Sequence, residues 1–600
     1  MADDSMKKEK GKEKEGSELR LCRNVSRREL IKGTAVVAAG TAASAFATPV
    51  AAAEEQTGTK PYTARPTLIT ASVQKNVVET DSGKVFGYVK DGVVSFRGIP
   101  YGASTAGKNR FMPPVKPEPW PGVRSALYWG PVAPQPFTST LDARRGGWSH
   151  DREAFMFEWE DGHDSEDCLR LNVWTPGIND NAKRPVMVWL HGGGFVFGSS
   201  QELRMYPGDG LARRGDVVVV SVNHRLGALG FANLMEYGEQ YASSTNVGML
   251  DLVLALQWVK TNISNFGGDP NRVLIFGQSG GGGKVSTLMA MPSAEGLFHR
   301  GVVESGSMLG GGSLKQAAEA TSGVLAELGL NKENIARIHE IPYQKIIEAA
   351  VHSQRVSGAF GIHQGLGWGP VVDGKDLPTS WTPNAPSYSR NVPLIVGNTL
   401  NEFFNSIQME DNHLDSMSMD DARKRLAGTG SAPSFFSTNL GKSTDHVIEV
   451  FRKTYPNATP FTMFSIISAM ATMRLSALTQ AKRKAEQGGA PAYNYWFQWQ
   501  TPVLDGQGRA YHCSELPFVF YQSEVCAPMT GGGPEALKLA GRMADAWINF
   551  ARSGDPNNAG LPHWPTYDPE KMSTMIFDNQ CVVKDDPDGE IRKAIVEARA

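Results

Sequence analysis

Short apolar runs recur along the chain, separated by longer stretches whose apolar positions fall at helical spacing. Val186-Met-Val-Trp-Leu190 runs into a glycine cluster, and Val217-Val-Val-Val-Ser-Val222 runs into Asn223-His224-Arg225. Val273-Leu-Ile-Phe276 leads to Ser279, and Pro393-Leu-Ile-Val396 ends shortly before Glu402. Such near-continuous β-branched runs predict strands buried on both faces, in a mostly parallel sheet. The aromatic run Tyr493 to Gln500 predicts a late strand. Gly248 to Lys260 has helical spacing, and a helix is expected near Leu537–Phe550. The segments from Leu314 to Val356 and from Ser416 to Gly488 read as helical insertions over the strand ends, able to shape a deep gorge. Alternating strands and helices predict an α/β fold that binds ligands at the carboxyl ends of its strands. No repeat or low-complexity linker divides residues 54–600, which read as one large domain.

Charge adds mainly exclusions. The 600 residues carry 60 Lys+Arg against 62 Asp+Glu, so there is no electrostatic footprint for nucleic acid. Five cysteines (Cys22, Cys168, Cys513, Cys526 and Cys581) are too scattered for a disulfide scaffold. Neither C-x-x-C nor H-E-x-x-H occurs, so no metal and no other cofactor is expected. The run Gly280-Gly-Gly-Gly-Lys284 suggests a phosphate loop but fails its spacing. That loop wants glycine where Gln278 stands and Ser or Thr where Val285 stands.

The N-terminus reads as an export leader. Ser26-Arg27-Arg28-Glu29-Leu30 precedes an Ala/Val/Gly/Thr stretch from about Gly33 to Val50, and Ala51-Ala52-Ala53 offers a cleavage site. The arginine pair resembles a twin-arginine signal, which implies residues 1–53 are removed and the product is periplasmic or secreted. A single membrane anchor is the competing reading. Thr, Ser, Gly and Pro49 make the stretch a poor permanent span, so no stable insertion is expected after processing.

The chemistry centres on Gly277-Gln278-Ser279-Gly280-Gly281, a G-x-S-x-G directly after a strand and before a helix-compatible segment. That is the pattern of a nucleophile elbow, with Ser279 exposed in a tight turn. His191-Gly192-Gly193-Gly194 follows another strand. Consecutive glycines let backbone N–H groups converge on one oxygen, with Gly193, Gly194 and Gly280 as candidate oxyanion donors. The order expected is serine, acid, histidine. His512 follows the aromatic strand through a turn-rich loop, whereas His563 sits in a Pro/Asn-rich tail and reads as a surface residue. Glu402 is the favoured acid, because Asp373, its competitor, lacks a comparable strand leading into it.

These motifs together resemble the type-B carboxylesterase/lipase family, relatives of the cholinesterases, from about Phe96 to Phe577. Ser165-Glu-Asp-Cys-Leu-Arg-Leu-Asn-Val-Trp174 matches its second signature, and Phe96-Arg-Gly-Ile-Pro-Tyr101 an earlier pattern. His512-Cys-Ser-Glu-Leu-Pro-Phe518 matches its histidine segment. The resemblance implies an α/β-hydrolase fold, with a mostly parallel central sheet flanked by helices, and a Ser279/Glu402/His512 triad. It also implies support of the acid by Ser305. Four departures stand out. Gln278 replaces the usual Glu and Gly280 the usual Ala, Phe403 follows the acid where glycine is usual, and Ala133 stands where the family's partner for Cys168 would be.

The expected activity is therefore hydrolysis of a small-molecule ester through an acyl-enzyme. The rivals are a non-catalytic binding or adhesion protein on the same fold, and a hydrolase of amides, carbamates or lactones. Acyl size and oligomeric state are left open by the sequence.

Overall fold

A twelve-stranded sheet organises the computed structural model, which describes residues 69–136, 151–160, 162–356, 368–409, 411, 413–429 and 438–599. The leader with Arg27 and Arg28, Cys22 and His363 lie outside the described residues. The strands are β1 (Ile69–Ala71), β2 (Tyr88–Lys90), β3 (Val93–Pro100), β4 (Arg170–Thr175), β5 (Arg184–Leu190) and β6 (Val218–Val222). They continue as β7 (Gly268–Gln278), β8 (Arg300–Glu304), β9 (Leu394–Thr399), β10 (Ala492–Phe497), β11 (Thr574–Phe577) and β12 (Val582–Lys584). The spatial order is β1-β2-β3-β4-β6-β5-β7-β8-β9-β10-β11-β12. From β6 to β11 every pairing is parallel, and antiparallel strands flank that block on both sides.

The parallel block is the part the apolar runs predict, and its packing explains why. Alternate residues of each strand feed two separate cores. Val218, Val220, Val186, Val188, Val273 and Ile275 face one, with α1 (Val247–Asn262) and α2 (Gly280–Leu288) packed over them. Val219, Met187, Trp189, Leu274 and Phe276 face the other, beneath α3 (Pro534–Ser553). Strands covered on both faces keep no polar side, so period-two alternation disappears from their sequence. Fully burying each such side chain contributes about 1.5–3 kcal/mol.

The antiparallel flank has no comparable signal. β3 pairs with β4 through a register shift between Phe96 and Ile99, and β4 carries a buried Asn172. That amide is satisfied: it accepts from the Gly98 N–H and donates to Ser200 Oγ and Ser221 Oγ. The strands read from the sequence differ only at their ends, with β7 and β9 longer and β10 shorter than the apolar runs, whereas β1, β2, β8, β11 and β12 carried no sequence expectation.

Insertions between strands are helical where expected, as Leu314–Glu327, Tyr343–Val356 and the helices from Met419 to Glu486. The helical run Pro460–Glu486 is long and apolar enough to cross a membrane by composition, but most of it is buried against the rest of the fold. Cys168 is a buried free thiol in the same core as Ala133, and Cys526 and Cys581 are buried free thiols elsewhere.

Register fixes where the strands stop. Leu190 lies opposite Gly277, Gln278 opposite Glu304, and Glu304 opposite Gly397. Four neighbouring strands therefore release their loops at one level on the same edge of the sheet.

Glu304, the last residue of β8, is fully buried and accepts from Trp547 Nε1 of α3 at 2.7 Å. Burial pushes its carboxyl from an ordinary 4.5 up to about 8. The folded protein thus holds this proton where the unfolded chain has released it, so stability falls as pH rises between those values. Glu304→Gln keeps an acceptor for Trp547 but cannot ionise. Its melting temperature should match wild type near about pH 5 and exceed it near about pH 8. An offset that does not change with pH would contradict the assignment.

Candidate active site

Ser279 caps α2 with φ 57° and ψ −125°, a conformation that L-residues adopt only under constraint. The constraint is the closeness of the neighbouring backbone. A Cβ on Gly281 would lie 2.0 Å from the Leu190 carbonyl oxygen, and one on Gly277 would lie 2.6 Å from the same atom. Only glycine at both positions lets α2 start this close to the end of β5. The Ser279 N–H donates to the Glu304 carbonyl at 2.8 Å, and the residue, just past the end of β7, is half-buried.

The loop after β5 turns just above. Gly193 and Gly194 have φ of 84° and 57°, and the Gly193 carbonyl closes the turn by accepting from Val196 and Phe197. Among the described residues the N–H groups of Gly193, Gly194 and Gly280 donate to no protein acceptor. Gly280 itself is packed against this loop, since a Cβ there would lie 2.4 Å from the Gly194 nitrogen. The three free donors are thus gathered beside Ser279.

The acid and the histidine arrive on two loops joined by their backbones. The Asn401 N–H donates to the Ala510 carbonyl at 3.0 Å, and the His512 N–H to the Glu402 carbonyl at 3.1 Å. Their side chains meet, with His512 Nδ1 2.5 Å from Glu402 Oε2. The other carboxylate oxygen accepts from Ser305 Oγ at 2.8 Å and from the Thr399 N–H at 2.9 Å. Ser305, expected from the resemblance to support the acid, therefore touches it directly. Both Glu402 and His512 are almost wholly buried. Behind them, burial pushes the carboxyls of Glu304 and Glu515 up, that of Glu515 further raised by the charges of Glu304 and Glu402.

One expected link is open. Ser279 Oγ makes no hydrogen bond among the described residues, and His512 Nε2 instead faces Gln278 Nε2 at 3.1 Å. The Gln278 carbonyl oxygen accepts from Cys513 Sγ at 3.1 Å, which orients the amide with its NH₂ toward the ring. With a proton on Nδ1 facing Glu402, Nε2 is an acceptor, and Gln278 occupies the lone pair that would receive the serine proton. Such bonds commonly tighten only once substrate is bound.

The sequence identified Gln278 and Phe403 as departures but gave no hint of what they contact. Phe403 lies on the imidazole of His512, with ring centroids 3.9 Å apart and planes 29° apart. Asp373 is elsewhere, its carboxylate accepting from the Lys375 and Leu377 N–H groups and from Asn246 Nδ2, as a turn former does. His563 is exposed. No group of metal-ligating side chains occurs among the described residues.

The model of the carboxylesterase family matches residues 74–591. The chain is 32% identical over 526 residues to a para-nitrobenzyl esterase of Bacillus subtilis (strain 168), covering 87% of this chain and 99% of that protein. A Geobacillus stearothermophilus carboxylesterase structure superposes with a TM-score of 0.69 at 34% identity, covering 87% of this chain and 100% of the other. An esterase from Clostridium hathewayi, described as hydrolysing aliphatic aromatic polyesters, gives 0.73 at 34% identity, covering 88% and 100%.

The contact at Gly280 makes a prediction. Gly280→Ala places a methyl where the Gly194 amide now sits, so the glycine loop must retreat from Ser279. With loss of a whole oxyanion donor costing about 10²–10³ in kcat, this displacement should cost on the order of 10-fold with KM little changed. Steady-state kinetics beside a thermal melt checks it; an alanine variant as active as wild type would mean the loop yields freely.

Proposed function

The chain belongs to the carboxylesterase family, and we propose that it hydrolyses carboxylic esters through a covalent acyl-enzyme on Ser279. It is a carboxylic ester hydrolase by family; the residues and steps are the proposal. The observation that carries it is the convergence of a half-buried, strained serine, a carboxylate-bound histidine and three unused N–H groups on one sheet edge.

In this mechanism the ester carbonyl enters between Ser279 and the glycine loop, and the Gln278 amide gives up His512 Nε2 to the serine hydroxyl. His512 takes the proton as Ser279 attacks, and Glu402 steadies the imidazolium from the Nδ1 side. The Gly193, Gly194 and Gly280 amides hold the oxyanion. His512 then protonates the leaving alcohol, and water repeats the sequence on the acyl-enzyme. Phe403 lies on the face of the imidazole and holds the ring's orientation. Gln278 puts a neutral amide beside the nucleophile, which favours uncharged esters over choline esters.

Ser279→Ala should keep the fold and lower kcat by on the order of 10⁴ or more. A fluorophosphonate should label Ser279 alone, and peptide mapping that finds another serine would falsify the assignment. Glu402→Gln should lower kcat by about 10²–10⁴, because its amide can select the wrong tautomer of His512. Asp373→Asn should cost little, and the reverse ranking of these two variants would exchange the acid.

The proposal extends to location. The leader motif supports export in folded form to the periplasm or beyond, with the mature chain starting near Glu54. Replacing Arg27 and Arg28 by Lys should leave the enzyme in the cytoplasm of its native host. Unimpaired export of that variant would remove the twin-arginine reading.

A further inference from the structure

The run Gly280-Gly-Gly-Gly-Lys284 fails as a phosphate loop, yet its lysine occupies an unusual place. Lys284 stands in α2, little more than a turn beyond Ser279, and its side chain is fully buried. Its Nζ donates to the carbonyl oxygen of His191 at 2.7 Å and reaches that of Gly192 at 3.3 Å. The same nitrogen lies 5.7 Å from the ring centroid of Phe195. These contacts span the whole glycine turn from its first residue to its last.

Helix stability does not account for this placement. A cation near the start of a helix opposes the macrodipole, and burying an ammonium is costly. Burial accordingly pulls Lys284 from an ordinary 10.5 down to about 7, and the one opposing influence is Glu202, whose own carboxyl burial pushes up to about 8. The other ionisable groups around it add no counter-charge. His191 and His224 are held well below their ordinary value by burial and by Lys284 itself, and Tyr206 is held well above.

The peptide geometry supplies a reason. In a trans peptide the C=O of Gly192 and the N–H of Gly193 point in opposite directions. A donor fixed on the Gly192 oxygen therefore sets the direction of the Gly193 N–H. A donor on that oxygen, as ammonium or as neutral amine, also polarises the peptide, which strengthens the N–H at its far end. Gly193 and Gly194 have no side chains of their own to restrain the turn, and both sit at positive φ.

We propose that Lys284 is a positioning residue of the oxyanion hole, clamping the His191 and Gly192 carbonyls from beneath so that the Gly193 N–H is aimed at the oxyanion. The inference rests on the serine-esterase reading above. It gives the helix that presents the nucleophile a second task, holding the loop that stabilises the product of its attack.

The test compares wild type with Lys284→Met, which keeps the length of the side chain but neither charge nor donor, and with Lys284→Gln, which is shorter and neutral. The readouts are kcat and KM on p-nitrophenyl butyrate, affinity for an aryl trifluoromethyl ketone that forms a tetrahedral adduct, and the melting temperature. Because removing a whole oxyanion donor costs about 10²–10³, kcat in Lys284→Met should fall on the order of 10–100-fold, with KM nearly unchanged. Ketone affinity should fall by the same factor as kcat/KM. If Lys284→Met does not fold, the same pair of losses is required of Lys284→Gln. Retained kcat, or a fall in kcat with ketone affinity unchanged, overturns the inference. A fluorophosphonate label on Ser279 in the same preparations separates the two failures. With Ser279 labelled, such a result removes only the role of Lys284; with the label elsewhere, the serine reading itself falls.

Discussion

The parallel pairing of β5 with β7 is the constraint on which the site depends. It sets Leu190 opposite Gly277, so the glycine turn and the candidate nucleophile leave the sheet at the same height. The approach is close enough that the Leu190 carbonyl excludes any side chain at residues 277 and 281. Everything else at the site is hung from neighbouring strands by the same register. Ser305 follows β8, and Glu402 follows β9 by three residues. The histidine loop follows β10 and is pinned to the acid loop by backbone hydrogen bonds.

Backbone strain is found at the site as well as in loops elsewhere. Ser279, Ser305, Glu402, Cys513 and Phe195 all have positive φ without being glycine. Each such residue costs of order 1–3 kcal/mol, which persists only where the surroundings over-determine it. Here the two large cores on either face of the sheet do so, because the strands they bury cannot shift without exposing both. The rigid frame leaves mobility to side chains. In the resting arrangement Gln278 rather than Ser279 faces His512 Nε2.

The sequence was most legible where burial is symmetrical. β5, β6, β7 and β9 lie between two apolar layers, and their continuous Val/Ile/Leu runs announce them. β3 and β4 do not, since a register shift and a buried Asn172 interrupt the pattern, and the amide's partners are distant in sequence. The identities of Ser279, Glu402 and His512 follow from motif order and from placement just after a strand, both of which are local. What Phe403, Gln278 and Lys284 touch is not local. Phe403 reads as a lost glycine until the fold lays it on His512, and Lys284 as a failed phosphate loop until it is found under the glycine turn. Gly280 is visible as a missing methyl, but the close approach of Gly194 is not.

The central claim is that the glycine turn and Ser279 form one preorganised receptor for a tetrahedral oxyanion. A crystal structure of the enzyme inactivated by an alkyl phosphonate tests it most directly. The account predicts phosphorus bonded to Ser279 Oγ, with the phosphoryl oxygen within hydrogen-bonding distance of the Gly193, Gly194 and Gly280 nitrogens. It also predicts the loop unmoved and His512 Nε2 turned from Gln278 to the adduct. A phosphoryl oxygen pointing away from the glycine turn, or a turn that rebuilds itself to meet it, would contradict the claim.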